Sequence, residues 1–267
     1  MSVSLAYREF GEGPPLVILH GLFGSGQNWQ SIARRLAEDH RVLAVDLRNH
    51  GGSPNAAEMT FSEMVDDLRV FLEERGIERT ALMGHSVGGK TAMVFALLYG
   101  QMVDTLIVVD IAPVAYDHSF SDLVRAMQRL DLSGGLPRTA LDKRLARDIP
   151  DKALRTFLMQ NLVSERGRTF WRINLDAIAA HMDDLTGFPD VDGFVYDGRA
   201  LFVSGAQSDY VAPAHHERIH ELFPWAEFAV IDGASHRPHV EQPEPFLAAV
   251  RQFLAPSATT SPAWSSS

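Results

Sequence analysis

ALMGHSVGGKTAM, residues 81–93, places one serine, Ser86, among a histidine and three glycines between two apolar runs. Residues 84–88, GHSVG, match G-x-S-x-G. A five-residue pattern is weak alone, and its context decides the reading. The ALM before it has the character of a buried strand, and GGKTAMVFALLYG after it reads as a helix. Strand, tight turn and helix form the setting of a nucleophile elbow, in which a strained turn holds a serine hydroxyl clear of the sheet. Gly84 and Gly88 would let strand and helix pass closely.

Outward from this point the chain alternates. PLVILHG (15–21), RVLAVDL (41–47), TALMGHS (80–86), TLIVVDIAP (105–113), RALFVSG (199–205) and EFAVIDG (227–233) read as buried parallel strands. NWQSIARRLAEDH, FSEMVDDLRVFLEERG and GGKTAMVFALLYG read as helices, with Thr60 or Ser62 as a cap for the second. VSLAYREFGEG alternates and suits a hairpin arm at the sheet edge. The pattern predicts an α/β fold with a mostly parallel sheet flanked by helices. Between residues 114 and 189 the runs SDLVRAMQRL, RTALDKRLARDI, DKALRTFLMQNL and TFWRINLDAIAAHM read as helical throughout. The expected organisation is therefore a discontinuous core (1–113 and 190–255), an inserted helical cap (114–189) and a Ser/Thr/Pro-rich disordered tail (256–267).

A serine needs a base. Among 11 histidines, His236 in IDGASHRPHV follows the last strand and falls late in the chain, the order that this elbow requires. His239 is the rival. His20 suits a role in shaping an oxyanion loop, and the His85 side chain should point away from Ser86. The base needs an acid to fix its tautomer. Asp110, ending TLIVVD, and Asp209, in SGAQSDYV, both lie between Ser86 and His236, so chain order leaves both open. The Val87 amide, at the start of the elbow helix, and the Leu22 amide in HGLFGSGQNW would form the oxyanion hole.

Composition narrows the classes further. A formal net charge of −10 argues against binding a nucleic-acid backbone. The absence of cysteine removes disulfides and thiolate chemistry and is compatible with a cytoplasmic location. The apolar runs are too short for a membrane span. HERIH (216–220) matches the H-E-x-x-H zinc pattern on a helix, but no third ligand follows, so a surface helix is the expected reading and no metal site is assigned. Lys90 reads as structural or surface.

Taken together, HGLFGSGQNW, VDLRNHGGSP, GHSVGGK, VDIAPV and GASH resemble the α/β-hydrolase superfamily, and more narrowly the YbfF-type esterases of bacteria and their mitochondrial relatives. The resemblance spans residues 5–254. It implies Ser86 as nucleophile and His236 as base. Most α/β-hydrolases place the acid where this chain has Ser208. YbfF-type proteins similarly have serine there and use the aspartate ending the DIAP strand, which favours Asp110, with Asp209 as the alternative. The implied activity is hydrolysis of short- to medium-chain acyl esters or acyl thioesters through an acyl-enzyme, with no cofactor, by a monomer or homodimer. A lyase-type enzyme and a non-catalytic ligand receptor on the same fold are the alternatives.

Overall fold

In the computed structural model, residues 1–255 are described, so the expected tail lies outside the described residues. The first half builds β1 (Tyr7–Phe10), β2 (Pro15–Leu19), α1 (Gln30–Leu36), β3 (Arg41–Val45), α2 (Phe61–Glu74), β4 (Thr80–His85), α3 (Val87–Leu98) and β5 (Val103–Val109). Beyond the insert come β8 (Arg199–Gly205), α9 (His216–Leu222), β9 (Ala226–Ile231), α10 (Pro238–Glu241) and α11 (Pro243–Leu254). The seven strands lie in the order β1-β3-β2-β4-β5-β8-β9, and every pairing is parallel except β1 with β3. The opening segment does reach the sheet edge, but it is no hairpin arm. Tyr7–Phe10 passes over β2 and pairs antiparallel with β3.

The central strands are apolar on both faces because helices cover both. Along β2, Leu16 and Ile18 enter one core cluster while Val17 and Leu19 enter the other, the period-two alternation of a pleated strand. Thr60 caps α2 by accepting the Glu63 amide.

The segment between β5 and β8 holds α4 (Ser121–Arg129), α5 (Arg138–Leu145), α6 (Lys152–Met159), β6 (Leu162–Glu165), β7 (Arg168–Trp171), α7 (Leu175–Ala180) and α8 (Met182–Thr186). It is not helical throughout. β6 and β7 form an antiparallel hairpin across Arg166–Gly167. Both turn residues have positive φ, 50° and 78°, as a two-residue turn that matches strand twist requires. The segment is tied to the core at several points. The Lys90 side chain, 1% exposed, runs from α3 to donate to the carbonyls of Thr186 and Gly187, where the insert returns. It is therefore a buried anchor rather than a surface lysine. Among the described residues no helix is long and apolar enough to cross a membrane.

Candidate active site

Three loops meet over the carboxyl ends of β2, β4 and β5, where an open α/β sheet binds ligands. The elbow comes first. A Cβ on Gly84 would lie 2.2 Å from the Gly88 carbonyl oxygen, so the end of β4 and the start of α3 touch backbone to backbone. Between them Ser86 has φ 52° and ψ −121°, a conformation that a non-glycine residue holds only when its surroundings enforce it. The strain turns the Ser86 side chain toward a cavity of about 1200 Å³ that it shares with His236.

The HGLFGS loop follows β2. A Cβ on Gly21 would meet the Ser86 Cβ at 3.1 Å, which puts this loop directly against the elbow. Among the described residues the Leu22 and Val87 amides have no acceptor. The neighbouring Phe23 amide is committed to His50 Nε2 at 3.3 Å. Two donors are thus left open beside the serine, one of them at the positive end of α3.

The aspartate ending β5 completes the set. Asp110 is wholly buried, with φ 53°. His236 Nδ1 donates to its Oδ2 at 2.8 Å, the Ser208 hydroxyl donates to the same oxygen at 2.6 Å, and the Gly205 amide donates to Oδ1 at 3.0 Å. Asp209 is exposed and makes no hydrogen bond among the described residues. The structure therefore brings Asp110, His236, Ser86, Leu22 and Val87 together and leaves Asp209 outside. The Ser86 hydroxyl carries no hydrogen bond to His236 here, the loose geometry common before a substrate closes the site.

Several residues at the site had no role assigned from sequence. Ser208, noted only as a non-acid, donates to Asp110. Tyr210 stacks on the His236 ring with centroids 4.1 Å apart. Tyr116 accepts the Ala112 amide and donates to the Tyr210 carbonyl, joining the Asp110 loop to the loop under His236. His85 Nε2 donates to the His236 carbonyl at 2.7 Å and so holds the backbone of the His236 loop. These are contacts between segments far apart in sequence, and no spacing rule carries them. His239, the rival base, is buried and stacks on Trp29 at 4.0 Å. In HERIH, His216 and His220 both pack on the Phe228 ring. Of the apolar residues of the insert, Phe157 lines the cavity, while Met127 and Met159 are buried in the core cluster and Phe170 is exposed.

Four histidines here are buried and held neutral. Desolvation pushes His20 down to about 4 and His50 and His239 down to about 3. It pushes His85 well below the ordinary imidazole range, helped by the nearby His236. Unfolded, each would take up a proton near pH 6.5. The unfolded chain therefore binds more protons between about pH 6.5 and 4, and stability falls as pH falls through that window, by roughly 1.4 kcal/mol per pH unit for each histidine. Calorimetric unfolding at pH 5.5 should show these four taking up about three to four protons. Stability that stays flat from pH 7 to 5 would refute the neutral assignment.

The family profile described as alpha/beta hydrolase fold matches residues 14–243. The sn-1-specific diacylglycerol lipase ABHD11 of Mus musculus is 40% identical over 91% of this chain and 81% of its own length. Esterase YbfF of Escherichia coli (strain K12) is 32% identical over 90% of this chain and 92% of its own. Among solved structures, a marine microorganism esterase superposes with a TM-score of 0.92 at 38% identity, over 95% of this chain and all of the other.

Proposed function

The chain belongs to the α/β hydrolase fold family, and from that premise we propose that it is a serine ester hydrolase working through Ser86, His236 and Asp110. The observation that carries the assignment is the 2.8 Å bond from His236 Nδ1 to the buried Asp110 carboxylate, on a cavity that also exposes Ser86. That bond fixes the His236 tautomer and leaves Nε2 as the acceptor of the serine proton. Ser86 Oγ attacks the carbonyl of a small-molecule acyl ester or thioester. The carbonyl oxygen gains charge and is met by the Leu22 and Val87 amides. His236 returns the proton to the leaving alcohol or thiol, then takes one from the water that attacks the acyl-enzyme and passes it to Ser86 Oγ as the acid leaves.

The names of the relatives, a diacylglycerol lipase and esterases, support ester cleavage as the reaction class. Phe23, Phe120, Leu123, Leu154 and Phe157 give the cavity apolar lining, which suits short- to medium-chain acyl groups. A cytoplasmic location belongs to the same reading.

The test is hydrolysis of p-nitrophenyl esters from acetate to laurate, with active-site labelling by a fluorophosphonate. Turnover that depends on acyl length, blocked by one equivalent of label on Ser86, is the expected result. Absence of both turnover and labelling would sink the proposal in favour of a ligand receptor.

A further inference from the structure

Five non-glycine residues among those described have positive φ: Phe23, Asn49, Ser86, Asp110 and Arg166. Ser86 and Asp110 belong to the site above, and Arg166 turns the hairpin. Phe23 (φ 64°) and Asn49 (φ 66°) lie in the two loops beside the Leu22 amide, and each is bound by an asparagine of the insert. The Phe23 carbonyl accepts Asn161 Nδ2 at 2.8 Å. Asn49 accepts the Asn174 backbone amide at its carbonyl at 3.0 Å and Asn174 Nδ2 at its side-chain oxygen at 3.0 Å.

The two loops are joined to each other as well. His50 Nε2 accepts the Phe23 amide, so its ring proton sits on Nδ1, which donates to the Arg48 carbonyl at 3.0 Å. Arg48 is held by two bonds to the buried Asp67 of α2, at 2.7 and 2.9 Å. Phe23 is thus clamped at both ends of its backbone. Its N–H is held from the core through His50, and its C=O is held from the insert through Asn161. Asn161 is itself 6% exposed, and its amide nitrogen also donates to the Leu158 carbonyl at the end of α6 at 3.2 Å.

We infer that Asn161 is a positioning residue that couples the seating of the insert to the oxyanion hole, an inference that rests on the ester-hydrolase reading. Left-handed backbone at a phenylalanine is unfavourable without such partners. The Asn161 bond holds the Phe23–Gly24 peptide, whose Gly24 N–H donates to the Gly21 carbonyl at 3.0 Å. That carbonyl lies on the peptide carrying the open Leu22 N–H, so losing the bond lets both peptides turn out of line. The cost falls on the transition state, because the Leu22 amide strengthens its bond only as charge develops on the substrate oxygen. An insert that lifts from the core would release Phe23 and Asn49 together.

The experiment compares wild type with Asn161→Ala, Asn161→Asp and Asn174→Ala. Readouts are kcat, KM, thermal midpoint, and inhibition by an alkyl boronic acid whose serine adduct puts an oxygen in the hole. Concentrations are normalised by fluorophosphonate titration, so misfolded protein drops out. The expected result for Asn161→Ala is a kcat lower by about 10- to 100-fold, KM within about twofold, and boronate affinity weakened by a matching factor. Asn161→Asp keeps the shape, removes both donor hydrogens and should behave alike. Asn174→Ala should lower kcat in the same direction. A purely structural asparagine would lower the thermal midpoint and leave kcat per titrated site and boronate affinity unchanged, and that result overturns the inference. So does a loss confined to KM. An active wild type with unaffected variants defeats the coupling alone. A wild type that neither hydrolyses esters nor binds the boronate defeats the hydrolase reading, and the coupling with it.

Discussion

Ser86→Ala is expected to lower kcat for an acyl ester by about a millionfold, with a thermal midpoint within about 3 °C of wild type. The size of the loss follows from the loss of covalent catalysis. Without Oγ no acyl-enzyme forms, and what remains is binding and the two open amides, worth a few thousandfold over water. The small effect on stability follows from what the hydroxyl does in the fold. Ser86 Oγ makes no hydrogen bond among the described residues, and alanine faces the same backbone strain at φ 52°. The measurement is turnover of the best p-nitrophenyl ester, with fluorophosphonate titration to exclude carry-over of wild type. Turnover within tenfold of wild type would move the nucleophile away from the elbow.

Asp110→Asn carries the second large effect, a fall in kcat/KM of about ten-thousandfold. Asparagine suits the position sterically. It has nearly the same volume in a wholly buried site, and it tolerates the left-handed φ of 53° better than most residues. Its carbonyl oxygen can still accept the Gly205 amide. Its NH2 group then replaces Oδ2 and faces the His236 Nδ1 proton and the Ser208 hydroxyl. The hydroxyl can rotate and accept, but the imidazole must shift its proton to Nε2, where it can no longer receive one from serine. Asp209→Asn should stay within about twofold, as expected for an exposed site away from the chemistry. Parallel kinetics of the two variants give the check, and a large loss in Asp209→Asn with little in Asp110→Asn would reverse the assignment.

The elbow was legible because its constraint is local. Backbone contact between Gly84 and Gly88 demands glycine at fixed spacing, and flanking apolar runs identify strand and helix. His236 was legible as a candidate base from chain order, since a loop after a late parallel strand opens on the same edge of the sheet. The two aspartates could not be separated by order. Residue patterns do not say which carboxylate is buried against the base, and the resemblance through Ser208 was what favoured Asp110. The hairpin in the insert hides from a helical pattern because TFWRINL carries apolar residues that fit a helix as well as a strand. The Arg166–Gly167 turn is the local signal that separates the two. His50, Tyr210 and Asn161 lay beyond reach, because each acts through a partner from a distant segment.

The position of Asp110 at the end of β5 divides the proposed machinery unevenly along the polypeptide. Nucleophile, acid and both oxyanion amides precede the insert, and only the base follows it. The arginine of the hairpin turn is a natural point for a trypsin-like protease to nick the chain. Such a nick would yield an amino-terminal fragment with every catalytic group except the proton acceptor. The two fragments would still meet along β5 and β8, paired from Thr105–Arg199 to Val109–Val203 inside the sheet. Sheet pairing, not an unbroken chain, delivers His236 to Asp110, so scission at the hairpin separates the fragments on paper long before it separates them in the folded enzyme.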